Sequence, residues 1–142
     1  LYLAKEREER NIFRIDLSSM QISGPYIEQL KASGWHDISY LKFESPYIYV
    51  LERGLGQVTR IDTKSGEKSS VSFQSLVFKN GQRMFKNDNP QFGMAEALLL
   101  TNDEIWIGFD NNGDPVSDYG KTLGLIDGTN TVVIIFERPE GF

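Results

Sequence analysis

The chain has 142 residues, of which 39% are hydrophobic and 25% charged, and it carries a net charge of −5. This length and composition are typical of one globular domain, taken as residues 1–142, and the acidic balance argues against a nucleic-acid-binding surface, which is usually basic. Because the sequence contains no cysteine, thiol catalysis, disulfides and thiolate metal sites are excluded.

A two-strand pattern occurs three times along the sequence. In each copy, an apolar–aromatic–apolar strand leads through a polar turn to a second strand that ends in Ile-Asp. The copies pair residues 1–3 with 11–16, residues 48–50 with 57–62, and residues 105–107 with 122–127. Repetition at roughly 45 to 60 residues is typical of β-propeller blades. We therefore predict an all-β chain of about three four-stranded antiparallel blades, in repeats near residues 1–24, 36–75 and 93–138.

The strands of each predicted blade follow from alternating apolar and polar residues bounded by Gly, Pro, Asn, Asp and Ser. The first repeat supplies strands at residues 1–5, 11–16 and 20–23, and the strand that should precede them would lie upstream of Leu1. The second repeat supplies four strands, at residues 37–43, 47–52, 57–62 and 68–74. The third repeat supplies strands at residues 94–100, 105–109, 122–127 and 131–137.

Two segments interrupt the strands. Residues 25–33 have apolar residues at helical spacing followed by Gly34, which favours a short helix or a turn. Residues 76–92 contain Asn80-Gly81, a strong hairpin signal, and we interpret this segment as an excursion between blades.

Three incomplete blades do not close a propeller, because the smallest rings use about four. They also leave edge strands that invite pairing with another chain. Two interpretations follow: the chain is a fragment of a longer propeller, or two copies associate about a two-fold axis into a six-bladed ring. We favour the homodimer, since two-fold homodimers are the commonest oligomers.

Two carboxylates are predicted near the central channel of the propeller, which the first strands of the blades would line. Asp37 begins the first strand of the second repeat, and alignment of the repeats makes Glu96 its equivalent in the third. Such a pair could hold Ca²⁺ or Mg²⁺, bind a polar substrate or supply general acid/base groups. Alternatively, each carboxylate accepts hydrogen bonds from backbone N–H groups between blades. Arg53, at a neighbouring strand end, could contact an anionic ligand or pair with an acidic residue.

A second group of candidate ligands follows the strand at residues 105–109. Asp110, Asn112 and Asp114 have the alternate spacing that opens a calcium-binding loop. The sixth position of that loop is Pro115 instead of Gly, and the twelfth is Lys121 instead of Glu, so the segment is not an EF-hand. A solvated loop rich in Asn, Asp and Gly is the alternative interpretation.

Five segments are the most distinctive in the sequence: residues 37–40 (DISY), 47–53 (YIYVLER), 57–62 (QVTRID), 95–98 (AEAL) and 105–112 (IWIGFDNN). Together they resemble blades of the esterase-like phytase propellers, and the regucalcin-like propellers share the same general pattern. The resemblance implies an extracytoplasmic protein of about six blades, with acidic residues at the channel that bind calcium or phosphate-bearing substrates. It points to Asp37 and Glu96, although Ala97 stands where the family usually has Gly after the acid.

Two functional hypotheses follow, and they leave open whether the protein is an enzyme. The first is a propeller module that acts as a binding scaffold, with a ligand or metal at the channel. The alternative is a calcium-dependent phosphoester or ester hydrolase with Asp37, Glu96 and Asp110 around the cation; an inert fragment of a larger enzyme is the third interpretation. No membrane span is expected, because the longest apolar runs, residues 97–100 and 132–136, fall far short of about 18 residues. The resemblance favours a periplasmic or secreted location.

Overall fold

The computed structural model describes residues 1–4, 12–23, 38–86, 95–111, 113–126 and 131–142. In these residues the protein is all-β, with several antiparallel sheets and two short helices. The fold class predicted from the alternating pattern is therefore confirmed at this level. The predicted helix at residues 25–33 lies outside the described residues.

The strands form three larger sheets and one short hairpin. The first sheet consists of β1 (Tyr2–Ala4), β2 (Ile12–Ile15) and β3 (Ile22–Ser23). The middle sheet consists of β4 (Ile38–Glu44), β5 (Tyr47–Glu52), β6 (Gln57–Asp62) and β7 (Lys68–Ser72). After helix α1 (Gln74–Val77) comes the hairpin of β8 (Phe78–Lys79) and β9 (Gln82–Arg83). The last sheet consists of β10 (Ala95–Leu100), β11 (Glu104–Phe109) and β12 (Val132–Glu137), with helix α2 (Asp118–Thr122) before β12.

The middle sheet is the four-stranded meander that the second repeat predicts. Each strand pairs antiparallel with the next one along the chain, and the observed bounds differ from the predicted ones by two residues or fewer. The turn after β6 is closed by Asp62, whose Oδ1 accepts hydrogen bonds from the backbone N–H groups of Lys64 (2.7 Å) and Ser65 (3.0 Å). Asp16 closes the turn after β2 in the same way, with Ser18 and Ser19 as donors. In the Ile-Asp ends of the first two repeats, Ile is thus the strand residue and Asp closes the turn.

The third repeat departs from its prediction at residues 122–127. Within the described part of this span no strand forms, because α2 covers its start and a turn follows. The side chain of Ser117 caps α2 by accepting a hydrogen bond from the Gly120 N–H at 2.9 Å. β12 pairs directly with β11 instead, so among the described residues the last sheet has three strands rather than the predicted four. The predicted strand is wrong because local capping favours a helix there.

The middle sheet lies between the other two sheets, and its strand β5 is buried on both faces. One face contributes Ile48 and Val50 to a cluster with Ile12 of the first sheet. The opposite face contributes Tyr49 and Leu51 to a larger cluster with the last sheet. Because successive residues of a strand point to opposite faces and both faces are buried here, residues 47–51 of β5 form a continuous apolar run. Each such buried side chain stabilises the fold by roughly 1.5–3 kcal/mol.

The excursion predicted between the blades contains the hairpin that Asn80-Gly81 signals. Asn80 and Gly81 both have positive φ, 52° and 77°, as a two-residue type I′ turn requires. The strands on either side of this turn are β8 and β9, which pair antiparallel. An isolated bridge between Phe85 and Val116 then joins the segment after the hairpin to the segment before α2. The excursion is therefore packed against the last repeat.

Candidate functional site

The first strands of the middle and last sheets carry matching β-bulges. The extra, unpaired residue is Ser39 in β4 and Glu96 in β10, each one position after the strand begins. Bulges of this kind redirect a side chain and are common near binding sites. The two strands also contact each other here, because the Ser39 hydroxyl donates to the main-chain oxygen of Ala95 at 2.6 Å. This end of the two strands is the candidate site.

The strand register corrects one alignment made from the sequence. The first residue of β4 and of β10 pairs with the last residue of the second strand in its own sheet. Counting from these pairs aligns Glu96 with Ser39. The equivalence of Asp37 and Glu96 is therefore wrong by two positions, and the bulges do not account for this offset because they occur at the same place in both strands. Asp37 itself lies outside the described residues, so its role stays a prediction.

Two predicted site residues come together here. Arg53, which directly follows β5, forms an ion pair with Glu96 through its Nη1. The Arg53 side chain is 8% exposed and the Glu96 side chain 37% exposed, so the pair is half-enclosed. It links the end of the middle sheet to the start of the last sheet. Arg53 thus pairs with an acidic neighbour, and contact of Arg53 with an anionic ligand stays a prediction.

The buried carboxylate of Glu52 lies next to this pair and was not predicted as part of a site. Glu52 is 1% exposed and accepts hydrogen bonds from the Thr59 hydroxyl and from Gln57 Nε2, the latter at 2.7 Å. Thr59 is in turn hydrogen-bonded to Ser70 at 2.8 Å. A buried charge is costly unless hydrogen bonds satisfy it, and this chain of polar groups does so across β5, β6 and β7. The network fixes the strand end that carries Arg53.

A cavity of about 130 Å³ opens beside Arg53, and we call it the arginine cavity because Arg83 of β9 also lines it. Burial lowers the pKa of the Arg83 guanidinium, although arginine remains charged at neutral pH. Two cationic side chains from different parts of the chain therefore border one cavity. Glu96 neutralises part of this charge through its pair with Arg53.

The remaining walls of the arginine cavity are mostly apolar. Phe73 and Phe109 are buried and meet edge to face, with ring centroids 5.9 Å apart. Met84 and Phe85 are also buried, whereas Phe78 is exposed. Apolar walls with a few placed polar groups are typical of small-molecule sites.

The position of Arg83 depends on the segment before and within α2. The Ser117 hydroxyl donates to the main-chain oxygen of Arg83, and the Ser117 N–H donates to that of Met84 at 3.0 Å. The Tyr119 N–H donates to the Gln82 side chain at 3.1 Å. Helix α2 therefore fixes one wall of the cavity, although the sequence predicts a loop over residues 110–121, which include most of this helix. Arg83 was missed because it lies in the predicted excursion, and the Asn80-Gly81 signal locates the hairpin without showing where it packs.

The structure describes part of the predicted calcium loop. Asp110 is exposed and Asp114 half-buried, while Asn112 lies outside the described residues. The loop is closed by Asn111, whose side-chain oxygen accepts from the Gly113 N–H at 3.1 Å and whose main-chain oxygen accepts from the Asp114 N–H at 2.8 Å. Over the residues that the structure describes, no three His, Asp or Glu side chains cluster so as to hold a metal ion. Calcium binding at Asp110, Asn112 and Asp114 stays a prediction.

Comparison with family models, curated proteins and solved structures finds no match for this chain. Within the described ranges, none of the helices has the length and apolar character needed to cross a membrane.

Proposed function

We propose that this chain forms three blades of a β-propeller that serves as a binding scaffold, and that a second copy completes a six-bladed ring. The observation that carries the proposal is the contrast between the sheets. The middle sheet packs an apolar cluster against a neighbouring sheet on each of its faces, whereas the first and last sheets each leave an apolar face open. Stacked sheets of this kind reach full burial when a further sheet covers each end.

The arrangement of the first strands supports the blade interpretation. The Ser39 hydroxyl reaches Ala95 near the start of β10, and Lys42 Nζ reaches the main-chain oxygen of Leu100 at its end, 3.2 Å away. β4 and β10 therefore run side by side in the same direction, each as the first strand of its sheet. Blades of a propeller place their first strands around the channel in this way. The binding site would then lie at the bulged ends of these strands.

The open face of the last sheet is continuous across its three strands. Leu99, Trp106 and Ile135 are cross-strand neighbours, with Leu99 49% exposed and Ile135 48% exposed. Val133 on the same face is also exposed. Contiguous exposed apolar residues mark interaction surfaces in soluble proteins. We call this surface the last-sheet face.

The open face of the first sheet is similar in character. Leu3 is 48% exposed and pairs with the half-buried Phe13, and Ile22 is 68% exposed and pairs with Ile15. We call this surface the first-sheet face. A second copy related by a two-fold axis would place its first-sheet face on the last-sheet face of its partner, and the reverse contact would form at the same time. Both open surfaces would be covered by one association.

The binding role is supported by the candidate site and by the resemblance to propellers with ligands at their channel. The bulges, the Arg53–Glu96 ion pair and the arginine cavity all lie at one end of β4 and β10. The alternative, a calcium-dependent phosphoester or ester hydrolase, makes a different prediction. A resident calcium site would raise the melting temperature at millimolar calcium by mass action, whereas the scaffold predicts an unchanged melting temperature.

Light scattering coupled to gel filtration tests the ring. We expect the unmodified chain to have twice its mass of 16.2 kDa. The variant Ile135→Asp introduces a charge at the centre of the last-sheet face. It should raise the dissociation constant of the dimer at least about tenfold. The matched control is Asn102→Asp, which adds the same charge to an exposed turn of the same sheet and should keep the dimer mass. A mass of one chain at all concentrations would contradict the proposal.

A further inference from the structure

The arginine cavity combines features that point to a class of ligand. We propose that it binds a small molecule with an anionic head and an apolar body, the head held by Arg53 and Arg83 and the body by the aromatic wall. This inference rests on the proposed binding role of the scaffold but not on ring completion, since the cavity is lined by residues of one chain.

The head of the ligand follows from the two arginines. A guanidinium presents planar N–H donors that match a carboxylate or phosphate group in paired hydrogen bonds. The Arg53 side chain is 8% exposed, so it is held in a partly desolvated position where such bonds are strong. Arg83 lines the same cavity from the β8–β9 hairpin, so the cavity offers an anionic head guanidinium groups from two parts of the chain.

The body of the ligand follows from the wall and the volume. Phe73, Phe85 and Phe109 are almost fully buried and give the cavity a rigid aromatic lining. The volume is about 130 Å³, which is well below the roughly 300–1,000 Å³ of pockets for drug-sized ligands. A single ring or a short branched chain suits this space, whereas a nucleotide or a phosphorylated inositol is too large to enter it.

Glu96 has a specific part in this proposal. Its ion pair with Arg53 occupies hydrogen-bonding capacity that an anionic head would use. Glu96 therefore competes with the ligand. This assignment differs from the prediction that Glu96 itself contacts a cation or substrate, and the sign of one substitution separates the two.

Isothermal titration of the unmodified chain with four probes tests the ligand class. We expect benzoate to bind, and benzamide (neutral head) and acetate (no apolar body) to bind at least about tenfold more weakly. Phenyl phosphate shares the proposed chemistry, so tighter binding of phenyl phosphate than of benzoate would support the inference and assign a phosphate head. Equal binding of benzoate and benzamide, equal binding of benzoate and acetate, or no binding of any probe would overturn it.

Substitutions assign the binding to the cavity. Arg83→Gln should weaken the binding of benzoate by roughly 10- to 100-fold, which is the usual range for the loss of a charge-assisted hydrogen bond. Arg14→Gln, at an exposed arginine of the first sheet, should leave the affinity unchanged. Phe78→Ala, at an exposed residue that lines the cavity, should weaken benzoate binding several-fold. Full affinity in Arg83→Gln would overturn the assignment, and the probe series on the unmodified chain tests the same chemistry if that variant is unstable.

Glu96→Gln is the most discriminating variant. We expect it to strengthen benzoate binding several-fold, because it removes the competitor for Arg53. Weaker binding in Glu96→Gln would overturn the competing role. Failure of the ring proposal is measured separately by chain mass: a monomer that binds benzoate would contradict the ring and support the cavity, and a dimer that binds no probe would do the opposite.

Discussion

The middle and last sheets begin alike and end differently. In each, a bulged first strand pairs with a six-residue second strand. After β5 the chain turns through residues 53–56 and returns as β6, whereas after β11 it passes through α2 before returning as β12. The apolar–aromatic–apolar pattern therefore specifies the first hairpin of a repeat, and the connection that follows depends on what it packs against.

This difference also determines where the candidate site has its second cationic side chain. In the middle sheet the short turn carries Arg53 directly to the bulge of β10. In the last repeat the long connection instead supports the hairpin that carries Arg83. Two repeats of similar sequence thus contribute different parts of one cavity. The connections that differ between the repeats therefore shape the cavity as much as the strands that they share.

The largest expected effect is at Gly120, where the last repeat departs from the middle one. A Cβ at this position would collide with the main-chain oxygen of Met84 and lie 2.8 Å from a Val116 methyl carbon. Backbone cannot move aside cheaply, so Gly120→Ala should lower the free energy of unfolding by about 3 kcal/mol. Urea denaturation measures this. Lys121→Ala, at the exposed neighbouring position, should change the free energy of unfolding by about 0.5 kcal/mol or less. Equal effects in the two variants would show that α2 does not pack on β9.

A smaller effect is expected at Arg138, which joins the end of the last repeat to the middle sheet. Its Nε donates to the main-chain oxygen of Phe142 and its Nη1 to that of Thr101, both at 2.7 Å, and its Nη2 donates to the Tyr49 hydroxyl. Its guanidinium also lies over the Tyr49 ring, 5.1 Å from the centroid. Arg138→Ala should lower the free energy of unfolding by about 2 kcal/mol, since the Phe142 main-chain oxygen and the Tyr49 hydroxyl, both at part-buried positions, lose this donor.

The variant Arg138→Lys sharpens this test. It keeps the charge but loses the planar set of donors, so its loss should be intermediate. Thermal unfolding of the two variants beside the unmodified chain gives the order. If Arg138→Lys is as stable as the unmodified chain, charge rather than the shared hydrogen bonds joins the two sheets.

The smallest effect concerns the Ile-Asp turns that the first two repeats share. The hydroxyl of Ser18 and the N–H groups of Ser19 and Ser18 lower the pKa of Asp16 to about 2, and the N–H groups of Ser65 and Lys64 lower that of Asp62. A carboxyl whose pKa is lower in the folded chain stabilises it above the unfolded pKa of 3.8. This stabilisation is lost as the pH falls from 3.8 towards about 2.

Asp16→Asn removes this titration and retains an acceptor for the turn. The free energy of unfolding should therefore depend less on pH between about pH 4 and about pH 2 in Asp16→Asn than in the unmodified chain. Urea denaturation at the two pH values measures the difference. An unchanged pH dependence would mean that the folded chain gains nothing from the ionised Asp16.

The sequence predicts the strands well where alternation and turn residues agree. Gln57–Asp62 was predicted at its observed bounds because apolar residues, the polar turn and the Asp of the next turn all favour the same strand. Residues 122–127 are similarly rich in apolar residues, but Ser117 caps a helix just before them. Ser117 followed by Asp118, with Lys121 in the last turn, is a helix signal that could have been recognised.

The candidate site was less predictable, for reasons of register and packing. The bulges at Ser39 and Glu96 shift the pairing by one residue, and alternation alone does not locate them. Arg53 was identified from its position at a strand end, and Glu96 from its alignment with Asp37, which the strand register shows to be wrong by two positions. Arg83 enters the site through tertiary contacts of the hairpin, which a single sequence does not reveal.

Cross-linking tests the central claim most directly. The claim is that the first-sheet face of one copy covers the last-sheet face of a second copy, and the reverse. Because the chain contains no cysteine, Leu3→Cys and Ile135→Cys each introduce a unique thiol, on the first-sheet face and the last-sheet face. A short bis-maleimide should link co-expressed Leu3→Cys and Ile135→Cys chains into a product of twice 16.2 kDa, and should link neither variant alone. Absence of the mixed product, or equal linkage in the unmixed variants, would contradict the ring.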